Sequence, residues 1–156
     1  MKSDNLLRHV WIPFAIAVVV YVVFYGGIEH RRTRNGPWRV TFRTDAKGEP
    51  VLLIDQPKLA ITNLQITFVG ETNSISTNAL MVLDTPKPVP YDIPFGKCVF
   101  MDTTFLPGTI VFDLFGHEIQ LIPRVLTIDK KDIPWSANAL IIVSRTNASG
   151  PFELKR

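Results

Sequence analysis

One uninterrupted apolar run, residues 10–28, limits what this chain can be more than any other feature. It reads Val-Trp-Ile-Pro-Phe-Ala-Ile-Ala-Val-Val-Val-Tyr-Val-Val-Phe-Tyr-Gly-Gly-Ile, nineteen residues without Asp, Glu, Lys or Arg. As an α-helix it would be about 28 Å long at 1.5 Å per residue, close to the hydrocarbon thickness of a bilayer. A buried helix of a soluble protein rarely lacks polar residues on every face over that length. Trp11, Tyr21 and Tyr25 lie towards the two ends, where amphipathic rings favour the membrane interface. Pro13 is expected in the first turn, where its missing N–H costs little. A cleaved signal peptide is the competing reading. The run is longer than the usual core of about 7–15 residues, and Tyr25-Gly26-Gly27-Ile28-Glu29-His30 offers no small-x-small cleavage site. The sequence therefore divides into an N-terminal tail (1–9), a transmembrane helix (10–28), a basic juxtamembrane tether (29–37) and a β-domain (38–156).

The net charge of +3 and the basic isoelectric point of 9.2 belong to the flanks of that helix. Before Trp38, the five basic residues Lys2, Arg8, Arg31, Arg32 and Arg34 stand against Asp4 and Glu29, which accounts for the whole excess. From Trp38 onward twelve basic and twelve acidic residues cancel. A neutral domain lacks the electrostatic footprint of a phosphate-backbone binder, so nucleic acid is excluded as an expected partner, and the lipid bilayer takes its place. Arg31, Arg32 and Arg34 are the expected membrane flank. Together with Arg39 and Arg43 they outnumber Lys2 and Arg8, which by the positive-inside rule favours a cytoplasmic C-terminus. Against this, short N-terminal anchors followed by β-domains usually hold the domain outside, and Lys2 and Arg8 suffice to retain a short tail inside. The reading adopted is an extracytoplasmic β-domain on a single-pass anchor.

After the turn signal Asn35-Gly36-Pro37, apolar and polar residues alternate from 38 to 43, the period-two pattern of a half-buried strand. Further runs follow at 51–54, 64–69, 80–83 and 89–95. The prolines at 86, 88, 90 and 94 reduce the last of these to an edge strand or an extended arm, because proline cannot donate to a ladder. Residues 109–115 and 118–122 flank Gly116-His117, which suggests a hairpin whose two-residue loop begins with glycine, as a type II′ turn prefers. Runs at 125–128 and 139–143 complete the set, with 129–132 as a turn. No stretch after the anchor has the 3.6-residue period of a long amphipathic helix. The expected fold is all-β, a small β-sandwich of about eight short strands, with a small barrel as the alternative.

No constellation in the chain signals chemistry. Cys98 is a lone cysteine in an apolar run, so it can form no intrachain disulfide, and it reads as a small buried hydrophobe. His117 is expected at the hairpin tip beside Glu118, with Asp113 nearby, a weak case for a metal. None of Ser74, Ser76, Ser136, Ser144 or Ser149 stands in a nucleophile-elbow context. Of Asp84, Asp92, Asp102, Asp113, Asp129 and Asp132, most lie next to Pro, Lys or Gly and read as turn residues, and no pair of them is marked as converging in a cleft. No phosphate loop or dinucleotide fingerprint is present, and no cofactor is expected. Asn147-Ala-Ser149 matches a glycosylation acceptor.

The candidate interaction surface is therefore Trp135, Tyr91, Pro88 and Pro90. Trp38, in phase with Val40 and Phe42, is expected in the core, whereas Trp135 is expected at the surface. The proline-rich stretch 84–95 could present extended backbone at low entropic cost. The leading expectation is a non-enzymatic interaction or assembly module of a membrane or envelope complex, with a protein partner. The alternatives are a glycan- or polymer-binding sandwich using Trp135 and a hydrolase or metalloenzyme using His117.

Overall fold

A computed structural model describes residues 4–71, 78–144 and 154–155. Lys2, Ser74, Ser76 and the acceptor Asn147-Ala-Ser149 lie outside the described residues. The chain forms two compact units, Met1–Arg34 and Asn35–Arg156. The first is a single helix, α1 (Asp4–Thr33), in which the segment His9–Thr33 is long and apolar enough to cross a membrane. It extends past residues 10–28 at both ends. At the C-terminal end the extension has a local cause. Arg32 Nη1 lies 3.5 Å from Glu29 Oε2 one turn back, and the Thr33 hydroxyl donates to the Glu29 carbonyl at 3.1 Å. His30, Arg31 and Arg32 in the last turn also suit the negative end of the helix dipole. Because the helix starts at Asp4, Pro13 lies in its interior and not in its first turn. A transmembrane helix tolerates such a proline where local adjustments satisfy the freed carbonyl.

The second unit is a two-layer sandwich, not a closed barrel. Its strands are β1 (Trp38–Thr44), β2 (Pro50–Gln56), β3 (Ile61–Val69), β4 (Asn78–Leu83), β5 (Tyr91–Ile93), β6 (Gly96–Asp102), β7 (Thr109–Leu114), β8 (His117–Ile122), β9 (Val125–Ile128), β10 (Lys131–Ile133), β11 (Leu140–Ser144) and β12 (Leu154–Lys155). The first sheet has the order β12-β11-β3-β2-β1-β4, and the second the order β10-β9-β8-β7-β6-β5. The second is a simple antiparallel meander, whereas β11 returns to the first sheet and pairs with β3 in parallel. The twelve described strands exceed the eight expected because β10 and β12 are only three and two residues long, too short to show an alternation, and because a register slip between Cys98 and Phe100 breaks the alternation of β6.

Alternation decides what is inside. Trp38, Val40 and Phe42 of β1, with Leu64, Ile66 and Phe68 of β3, face Ile110, Phe112 and Leu114 of β7 across one shared core. Removing side chains of this size from water is worth about 1.5–3 kcal/mol each, so the two apolar faces hold the layers together. The β1–β2 connection is the expected turn: Asp45 Oδ1 accepts from the amides of Lys47 and Glu49, both at 2.8 Å. The β7–β8 turn departs from expectation. Its two loop residues are Phe115 and Gly116, at φ 53° and 82°, which is a type I′ turn, and His117 is the first residue of β8, opposite Leu114. An aromatic residue in the left-handed region is strained by about 1–2 kcal/mol. Phe115 offsets that by packing its ring against Phe68 and Phe95, with centroids 5.4 and 5.7 Å away.

Trp38 joins the layers at the end where the tether enters. Its side chain is fully buried, its indole N–H donates to the Gly108 carbonyl at 3.0 Å, and its ring lies 5.2 Å from that of Trp135. Gln56, buried at the end of β2, donates to the carbonyls of Gly36 and Pro37 at 2.9 and 2.8 Å and accepts from Lys58 N at 3.1 Å. Gly108 is at φ 77°, and a Cβ there would lie 1.9 Å from the Asp102 carbonyl oxygen. Gly108→Ala is therefore expected to cost about 3 kcal/mol, from left-handed strain plus overpacking. Gly116 shares the positive φ but has open space around it, so Gly116→Ala is expected to cost about 1 kcal/mol. Urea unfolding of the full chain in detergent, followed by tryptophan fluorescence, would measure both.

Candidate interaction surface

Between β4 and β5 the chain crosses from one sheet to the other as Asp84-Thr-Pro-Lys-Pro-Val-Pro90, seven residues that are all exposed. Three prolines explain why this strap joins neither ladder: each lacks a donor and fixes its own φ. The strap is fastened at both ends. Leu83 is buried opposite Trp38, and Tyr91 opens the edge strand β5, packed partly against the core. Lys87 reaches over the Tyr91 ring, its Nζ 5.5 Å from the centroid, within cation–π range. The sequence expectation of an edge strand or arm is met by both: a strap from 84 to 90 and a three-residue edge strand after it.

Behind Tyr91 lies a small, soft polar cluster. The phenol donates to Met101 Sδ at 3.8 Å, and Cys98 Sγ lies 3.5 Å from the Phe100 carbonyl. Burial, and after it the neighbouring Cys98, pushes the Tyr91 phenol well above its ordinary range. Burial likewise raises Cys98, partly offset by its polar contacts with the Tyr91 side chain and the Phe100 backbone and by the charge of Lys87. Both groups therefore stay protonated at neutral pH, and Cys98, wholly buried, is a packing residue without thiolate character. At β6, the register slips between Cys98 and Phe100, a bulge that turns Val99 and Phe100 both outward.

His117 is 5% exposed, not at a solvent-exposed tip. Its Nδ1 is 2.6 Å from Asp129 Oδ2, while Asp129 Oδ1 accepts from the Glu118 amide at 2.9 Å. Asp129 is itself held in the tight β9–β10 turn, where Asp129 and Lys130 have φ 48° and 66°. The Asp129 amide donates back to the Glu118 carbonyl at 2.9 Å. The pair thus locks two neighbouring hairpins together. Asp113 and Glu118 face each other across β7 and β8 on the exposed side, and no group of three His, Cys, Asp or Glu suited to a metal occurs among the described residues.

The remaining candidates are spread apart. Trp135 is half-buried, with its N–H donating to the Ile122 carbonyl at 2.8 Å and one side of its ring against Trp38. Pro88, Pro90 and Tyr91 share the strap and its junction. Arg31 and Arg32 lie in the last turn of α1, and Arg34 follows it. Sequence reasoning missed Lys87, whose partner Tyr91 is only four residues away. It also missed the status of β4: among the described residues this strand ends its sheet, and Leu80 and Val82 on it are 63% and 46% exposed. Comparison of the chain with protein-family models, with curated proteins and with solved structures gave no match.

Asp129→Ala is expected to cost about 2–3 kcal/mol, because it leaves His117 buried without its partner and the Glu118 amide without its acceptor. Asp129→Asn keeps an acceptor and tolerates the left-handed turn, so its loss should stay below about 1 kcal/mol. Denaturant melts of the two variants would separate this locking role from a role in chemistry.

Proposed function

We propose that the chain is a membrane-anchored, non-enzymatic docking module, an accessory component of a membrane or envelope complex, whose β-domain binds another protein on the extracytoplasmic side. The observation that carries this reading is the strap 84–90. An exposed segment of seven residues, three of them proline and fastened at both ends, loses little chain entropy when a partner binds it. Lys87 over Tyr91 adds a cation and an aromatic ring, a pair well suited to the centre of an interface. Two further features favour the reading. α1 is long and apolar enough to anchor the chain, and four residues, Arg34 to Pro37, separate it from β1. The charges of the domain from Trp38 onward cancel, so recognition rests on shape and apolar contact more than on long-range attraction.

Purifying the full tagged chain in mild detergent should recover a stoichiometric protein partner. Replacing Pro86 and Pro88 together by glycine frees the strap before binding, at about 1.5 kcal/mol in lost preorganisation, and should weaken partner retention by about tenfold. The melting temperature should fall by only a few degrees, because both prolines are exposed and the change acts through the entropy of the unfolded chain, at about 0.4–1 kcal/mol each. A chain that is recovered without any partner under several detergent and salt conditions would contradict the proposal.

A further inference from the structure

The sandwich has four sheet edges among its described strands, and three of them are blunted. β5 is three residues long with proline on either side, at 90 and 94. β10 is three residues long and carries Lys131 and Asp132. β12 has two residues. Short strands, prolines and charges are the devices by which soluble sheets prevent an edge from recruiting another strand. β4 has none of them. It is six residues long, Asn-Ala-Leu-Met-Val-Leu, with no proline, no charge and a continuous register against β1. Only one of its sides is paired among the described residues, and Leu80 and Val82 point away from the core.

We infer that β4 is a homotypic docking edge, at which a second copy of this chain adds its own β4 in antiparallel pairing. Strand addition between identical copies requires an edge that matches itself under a two-fold axis. Centring the axis on Met81 sets Leu80 opposite Val82 of the second copy and Val82 opposite its Leu80. Both exposed apolar side chains are then covered by an apolar partner. Charge points the same way. The neighbouring strand β1 places Arg39 beside Val82 and Arg43 beside Asn78; Arg39 has Asp55 as its register partner on the far side, and Arg43 donates to Gln65 Oε1 at 3.1 Å, so both are turned along their own sheet. β4 itself carries no charged side chain, which suits a second uncharged β4 and offers a charged strand no partner on the strand it would pair with. Confinement helps as well. If α1 anchors every copy, a premise shared with the proposed docking role, copies meet in one plane at a raised effective concentration, and a modest edge suffices.

The test uses the full chain in detergent. Light scattering should show a dimer, and Leu80→Lys with Val82→Lys should weaken dimerisation by at least tenfold while leaving the melting temperature unchanged, because both side chains are exposed. For the register, a Leu80→Cys chain, a Val82→Cys chain and an equimolar mixture of the two, all in a Cys98→Ala background, are reduced and then oxidised in parallel. The mixture should cross-link much more strongly than either chain alone, since opposite residues in an antiparallel pair are about 4.5–5.5 Å apart, within disulfide reach. Should the lysine variant lose its fold, the cysteine mixture alone decides. A wild-type chain that stays monomeric, or a mixture that cross-links no better than its components, would overturn the inference. A monomer that nevertheless retains a protein partner, lost on Leu80→Lys and Val82→Lys, would also overturn self-pairing while leaving the docking proposal intact.

Discussion

Trp38 stands where the tether ends and the sandwich begins, and its burial sets conditions that several other residues meet. A wholly buried indole N–H left without a partner would cost about 1–3 kcal/mol. The Gly108 carbonyl, which supplies that partner, comes from the loop between β6 and β7 in the opposite sheet. To bring it there the chain passes so close to Asp102 that only glycine fits. Trp135, from beyond β10, lies against the same ring and ties its own N–H to Ile122. Gln56 clamps the carbonyls of the two residues before Trp38. One side chain thus couples both sheets and fixes the point from which the tether leaves.

Much of this was readable because it is local. The alternation of Trp38, Val40 and Phe42 marks a strand with one buried face, and Asp45 with Gly48 marks the turn that follows it. The apolar run of α1 needs no tertiary context. What sequence reasoning got wrong has non-local causes. Phe115 in a left-handed turn contradicts its own preference, and only Phe68 and Phe95, far away in the chain, make it tolerable. Moving that turn by one residue takes His117 from the tip into the interior, where Asp129 awaits it. The parallel pairing of β3 with β11 joins residues more than seventy positions apart, and no periodicity announces it.

The same limit applies to the candidate surface. Four prolines between residues 86 and 94 announce an extended segment, and Tyr91 lies within it. That the segment bridges two sheets, and that Lys87 folds back over Tyr91, follows from topology. Whether an apolar run such as Asn78–Leu83 is a central strand or an open edge depends on which strands become its neighbours. The contrast between β4 and the blunted edges β5 and β10 is therefore visible only in the folded chain. It separates a surface for a different protein, the strap, from an edge suited to a second copy.

Everything proposed for the domain depends on α1 staying attached and in the bilayer. The most direct measurement is the mass of the chain recovered from membranes washed with alkaline carbonate. Full-length protein in the membrane pellet, with residues 1–33 intact, is the expected result. A chain that begins after Ile28, found in the soluble fraction, would show that the apolar segment is a removed leader and would contradict a membrane-tethered module.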